Sequence, residues 1–120
     1  MNQPLPAEVV ETLDAVLSAT DPAHRALRDQ LPLLGVQGRC GCGCGTTYFD
    51  IDVDVAISAP TGPATVVAAS AQLVTEAGTY PGEVLVFAQN GYLSWLEVCS
   101  WTDEFKLTLA DAVRWLPRAQ

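Results

Sequence analysis

The stretch Glu83-Val84-Leu85-Val86-Phe87-Ala88-Gln89, then Asn90-Gly91, then Tyr92-Leu93-Ser94-Trp95-Leu96-Glu97-Val98-Cys99-Ser100-Trp101 decides the fold. Two runs rich in β-branched and aromatic residues flank a dipeptide suited to positive φ, and Asn-Gly is a favoured centre of a type I′ turn. The spacing predicts a tight antiparallel hairpin. With a two-residue loop and unbroken pairing, Leu85 faces Leu96, Phe87 faces Ser94, Val86 faces Trp95, and Cys99 falls opposite Gly82.

Upstream, Thr47 to Ile57 alternates strictly. Phe49, Ile51, Val53, Val55 and Ile57 fall on one face, and Tyr48, Asp50, Asp52 and Asp54 on the other. A period of two with one apolar and one polar face predicts an antiparallel strand lying against helices. Pro60-Thr61-Gly62-Pro63 marks a turn, and Thr65 to Thr75 is read as a further strand. Before the period changes near Val36, the spacing is helical. Val9, Val10, Leu13, Val16 and Leu17 recur on one side of a segment beginning at Pro6, with Glu8, Glu11 and Asp14 opposite. Asp21-Pro22 then opens a second helix, the carboxylate capping and the proline fitting the first turn. That helix carries Ala26, Leu27 and Leu31 and stops near Pro32 or Gly35. Leu107 to Leu116 reads as a closing helix with Thr108 as its cap. The expected fold is α+β: an N-terminal helical hairpin packed on a four- to five-stranded antiparallel sheet, with a short C-terminal helix. Residues 1–120 read as a single domain.

Composition narrows the function. Hydrophobic residues make up 49% of the chain and charged residues 17%, enough apolar content for one packed core. Fourteen acidic residues against six basic ones give a net charge of −8. That balance argues against nucleic acid, because phosphate binding needs clustered Lys and Arg, and it favours a basic protein partner or a cation. No apolar run approaches the ~18 residues of a membrane span. No basic segment leading into an apolar core opens the chain, so the expected location is the cytoplasm, where thiols stay reduced.

Three of the four cysteines lie in the run Cys40-Gly41-Cys42-Gly43-Cys44-Gly45. Two thiols spaced C-x-C on an extended strand point the same way, ~6.5–7 Å apart at their α carbons, and can grip one ion. Cys40 and Cys44 would stand ~13 Å apart if extended, so a three-thiol site needs a bend, which the glycines permit. Zinc is the candidate ion, with Cys40, Cys42 and Cys44 as ligands and Cys99, His24 or a carboxylate as the fourth. The paired C-x2-C pattern of common zinc sites is absent, and small buried thiols are the competing reading. Thiol catalysis or redox sensing is a further alternative. A cysteine nucleophile would want a histidine base, and the one histidine, His24, sits in a helical segment as a surface residue.

Two surfaces stand out for partner binding. Asp50, Asp52 and Asp54 form an acidic ladder on the predicted strand. Tyr92, Trp95 and Glu97, with Trp101 beyond them, give the second hairpin strand an aromatic surface with one carboxylate, of the kind enriched in binding hot spots.

Three segments carry a resemblance: Ala26 to Leu31, Val36 to Cys44, and Asn90-Gly91-Tyr92-Leu93-Ser94-Trp95-Leu96-Glu97. Together they resemble a group of small uncharacterised actinobacterial proteins with a C-x-C-G-C stretch before a strand and a D/N-G-x-L-S-x-L-E hairpin. Gly45-Thr46 departs from the group's pattern, in which a small residue or proline precedes Thr or Ser. The resemblance implies one fold across most of the chain and supplies no activity. The expectation from sequence is a small acidic cytoplasmic protein acting as a non-enzymatic binding module, with a zinc protein built on the cysteine run as the alternative.

Overall fold

Asn90 and Gly91 take φ values of 53° and 88° and join β5 (Gly82–Gln89) to β6 (Tyr92–Ser100). The computed structural model describes residues 3–40, 45–102 and 107–117. Position 91 admits only glycine, because a Cβ there would lie 2.6 Å from the Ala59 carbonyl oxygen.

The hairpin register differs from the expected one beyond its first two pairs. Gln89 pairs with Tyr92 and Ala88 with Leu93, but Phe87 then pairs with Trp95, Val86 with Leu96, Leu85 with Glu97 and Glu83 with Cys99. Ser94 is the extra residue of a β-bulge. The expected pairings Leu85–Leu96, Phe87–Ser94, Val86–Trp95 and Gly82–Cys99 are all displaced by one residue. The cause lies in the apolar pattern. Leu93, Leu96 and Val98 are 1%, 0% and 6% exposed, so all three face the core. Leu93 and Leu96 are an odd number of residues apart, and a regular strand would place them on opposite faces. The bulge resolves that conflict.

Around the hairpin, β1 (Gln3–Pro4), β2 (Leu34–Arg39), β3 (Thr47–Ile51) and β4 (Thr65–Gln72) complete an antiparallel sheet in the order β1-β2-β3-β6-β5-β4. The α+β expectation holds, with six strands among the described residues where four or five were expected. The extra one is the β1 bridge, too short for any periodicity to reveal.

Strand β3 ends six residues earlier than its alternation predicts. Past Ile51 the Asp52 carboxylate accepts the Asp54 amide at 2.9 Å, and the Asp52 carbonyl accepts those of Val55 and Ala56. This local turn competes with the ladder and wins, as short polar side chains often do. Val53, Val55 and Ile57 are consequently 54%, 61% and 82% exposed rather than buried.

Three helices among the described residues cover one face of the sheet: α1 (Ala7–Val16), α2 (Pro22–Asp29) and α3 (Leu109–Trp115). Asp21 caps α2 by accepting the His24 amide, and Thr108 and Asp111 form a reciprocal capping box at α3. The Arg28 guanidinium donates to the Leu17 and Ala19 carbonyls, closing the turn between α1 and α2. Leu13, Leu27 and Ala112 from the helices meet Phe49, Val86 and Leu96 from the sheet in one core. No helix among the described residues is long and apolar enough to cross a membrane.

Three polar residues are buried among the described residues, Thr12, Gln30 and Thr47, and Gln30 is the largest of them. Gln30, 1% exposed, follows α2. Its Nε2 donates to the Ile57 and Gly91 carbonyls, each at 2.9 Å, and its Oε1 accepts the Leu93 amide at 2.9 Å. Replacing Gln30 by leucine leaves the Leu93 amide buried without that acceptor. We expect a loss of about 2–3 kcal/mol of unfolding free energy, measured by urea denaturation.

At the other end of the sheet, the Val74 amide donates to the Trp115 carbonyl and the Trp115 indole to the Glu76 carboxylate at 3.0 Å. The Glu76 backbone amide and then that indole hold its carboxyl below the ordinary 4.5. Because the folded value is the lower one, the stabilisation is complete above pH 4.5 and is lost as pH falls through the folded value. The melting-temperature difference between the wild-type chain and Glu76→Gln should therefore be constant above pH 4.5 and shrink below it.

Candidate functional site

Alternation along β5 and β6 sends Val84, Val86, Leu96 and Val98 toward the helices, and turns Glu83, Leu85, Phe87, Trp95, Glu97 and Cys99 the other way. On that second face a single row crosses the sheet. Gly38 pairs with Tyr48, Tyr48 with Trp95, Trp95 with Phe87, and Phe87 with Val67. The Phe87 and Trp95 rings stack with centroids 4.3 Å apart and planes at 11°, and Tyr48 lies tilted 6.5 Å from Trp95. Tyr48 is 43% and Val67 51% exposed. Tyr48, Trp95, Phe87 and Val67 neither belong to the core cluster nor pack against it.

Charge on the strands is one-sided. Asp50, Glu83 and Glu97 are acidic and Arg39, at the end of β2, is the sole cation among the six strand segments. Glu97 is fixed in place: the Trp95 indole donates to one carboxylate oxygen at 3.1 Å, and the Cys99 thiol to the other at 3.7 Å. A stacked aromatic pair with a tilted third ring, beside an oriented carboxylate, is suited to binding a cationic, partly apolar surface.

The residues singled out by their sequence pattern fall into separate places in the fold. Tyr92, Trp95 and Glu97 do share a face, because the bulge at Ser94 brings Tyr92 round to the side of Trp95. Asp50 joins them on β3, but Asp52 and Asp54 lie in the turn beyond it, so no acidic ladder forms. Trp101 stands past the end of β6 and is 52% exposed. Cys99 sits on the open face beside Glu97, whereas Cys40 lines a cavity with Glu8 of α1 and Thr108 at the start of α3. Cys42 and Cys44 lie outside the described residues. Among the described residues, no group of three or more His, Cys, Asp or Glu gathers where a metal ion could sit. Gly45 explains one of the run's glycines: its φ is +93°, and a Cβ there would lie 3.0 Å from the Leu109 amide nitrogen. His24 lies 2.6 Å from Asp21 at the cap of α2.

Tyr48, Phe87 and Val67 carry no mark in the sequence that sets them apart as a row. Each is unremarkable within its own strand, and only cross-strand register makes them neighbours. The Leu93–Leu96 spacing was the one signal that could have revealed that register.

No protein-family model, curated protein or solved structure matches this chain.

The stack is expected to contribute modestly to stability because both rings are only half-buried. Phe87→Ala should cost about 1–2 kcal/mol in chemical denaturation, against the ~3–5 kcal/mol typical of a core phenylalanine.

Proposed function

We propose that this protein is an interaction module that presents the open face of its sheet to a protein partner with a basic surface. The observation that carries this reading is the row Tyr48–Trp95–Phe87–Val67, which crosses four strands outside the core. Rings left partly exposed forgo part of the stabilisation that full burial would give them. A partner seated on them recovers it, which is why such residues dominate interface energetics. Asp50, Glu83 and Glu97 on the same face, within a chain of net charge −8, favour lysine- and arginine-bearing partners and speed their encounter.

The reading is tested with a photo-crosslinking amino acid placed at Leu85 on the open face, and separately at Glu11 on the helical side, in the host cell. A discrete protein adduct should form from position 85 and not from position 11. It should fall at least about tenfold in yield with Trp95→Ala, which removes a hot-spot side chain. Equal adducts from both positions, or an adduct indifferent to Trp95→Ala in a variant of unchanged circular dichroism, would overturn the reading.

A further inference from the structure

We infer that the cavity between β3 and β6 is an anchor for an arginine side chain of the partner, an inference that rests on the open face being the docking surface. The two strands pair only at Thr47–Leu96 and Tyr48–Trp95. Beyond those pairs they part around a cavity of about 490 Å³ bordered by both strands and by the hairpin turn. The gap is built into the fold. Gln30 takes the Leu93 amide and shares the Gly91 carbonyl, so β6 is satisfied on that side without closing onto β3.

The lining matches a guanidinium and its stem. Asp50 offers a carboxylate, and Gln37, Gln89 and Asn90 offer amide oxygens. Tyr92 adds a ring face, while the exposed Val53 and the partly buried Ile51 supply apolar wall on which a three-carbon stem can lie. No lining residue is cationic. A guanidinium is planar, weakly hydrated and carries five N–H donors, so it can use acceptors arriving from several directions at once. A lysine ammonium has three donors and holds its water more strongly, and it matches this lining poorly. Ser94 lines the cavity and precedes Trp95 in the chain, so an arginine seated there brings the residues beside it over the aromatic row.

The experiment titrates the isotope-labelled, full-length chain with three capped tripeptides, Gly-Arg-Gly, Gly-Lys-Gly and Gly-citrulline-Gly, followed by amide correlation spectra. The arginine peptide should shift the amides of Asp50, Tyr92 and Ser94 saturably. The lysine peptide should bind at least about fivefold more weakly, and the uncharged citrulline peptide should leave those amides unmoved. Asp50→Asn should abolish the arginine response while its own spectrum remains that of a folded chain. Equal responses to arginine and citrulline, arginine shifts centred elsewhere, or no saturable arginine response would each overturn the inference. Trp95→Ala separates this inference from the docking reading. An arginine response retained in that variant, with the crosslink at position 85 absent even in the wild-type chain, would locate the failure in the face. A Trp95-dependent crosslink without any arginine response would locate it in the cavity.

Discussion

A single buried amide determines how the two halves of the sheet are joined. On the side of β6 that faces β3, the Gly91 carbonyl and the Leu93 amide lie beyond the last β3–β6 pair. Leaving the Leu93 amide buried without its acceptor would cost about 1–3 kcal/mol. Gln30 supplies both a donor and an acceptor from one side chain, which a carboxylate at neutral pH cannot do. Its second donated bond, to the Ile57 carbonyl, pins the segment that leaves β3. The Ala59 amide meets the Gly91 carbonyl from the same segment. The splay of the strands, the turn at Asn90-Gly91 and the course of the chain from Asp52 to Ala59 therefore share one fixed point.

The bulge at Ser94 does for side chains what Gln30 does for the backbone. It keeps Leu93 and Leu96 on the same buried face, and in doing so places Tyr92 and Trp95 together on the other. The buried face of the two hairpin strands is then aliphatic, while the large rings of Phe87 and Trp95 stand opposite. A sheet optimised for monomer stability alone would do better with its rings inward, since they bury the most area per side chain. The arrangement makes sense where the second face also has contacts to make.

Elements marked by local chemistry were legible in the sequence. Asn90-Gly91 signalled the hairpin, Asp21-Pro22 the start of α2, and Thr108 the start of α3, because each signal acts within four residues. What escaped depended on distant partners. Gln30 at a helix end reads as a surface residue until its partners, 61 and 63 positions away, are known. The alternation from Val53 to Ile57 is real in the sequence, but β2 has begun by Leu34, which already pairs with Ile51. With no further residues to pair, the Asp52 turn takes over. Of the candidate site, Asp50, Tyr92, Trp95 and Glu97 came together, whereas Tyr48 and Phe87 needed the register to be seen.

In the proposed function, charge and shape divide the work of recognition between them. Glu8, Glu11 and Asp14 are exposed on the outer side of α1, so the helical layer is acidic as well as the open face of the sheet. Attraction that reaches over a Debye length of about 10 Å cannot distinguish the two sides. It gathers basic partners near the molecule without orienting them. Orientation must come from contacts that act only at van der Waals and hydrogen-bond range. The exposed side of α1 offers carboxylates spaced along a convex surface. The open face offers a stacked pair of rings, a tilted third, and a carboxylate held by the neighbouring indole. Groups already fixed in position lose little entropy on binding, and this preorganisation is what favours the sheet over the helices as the proposed docking face.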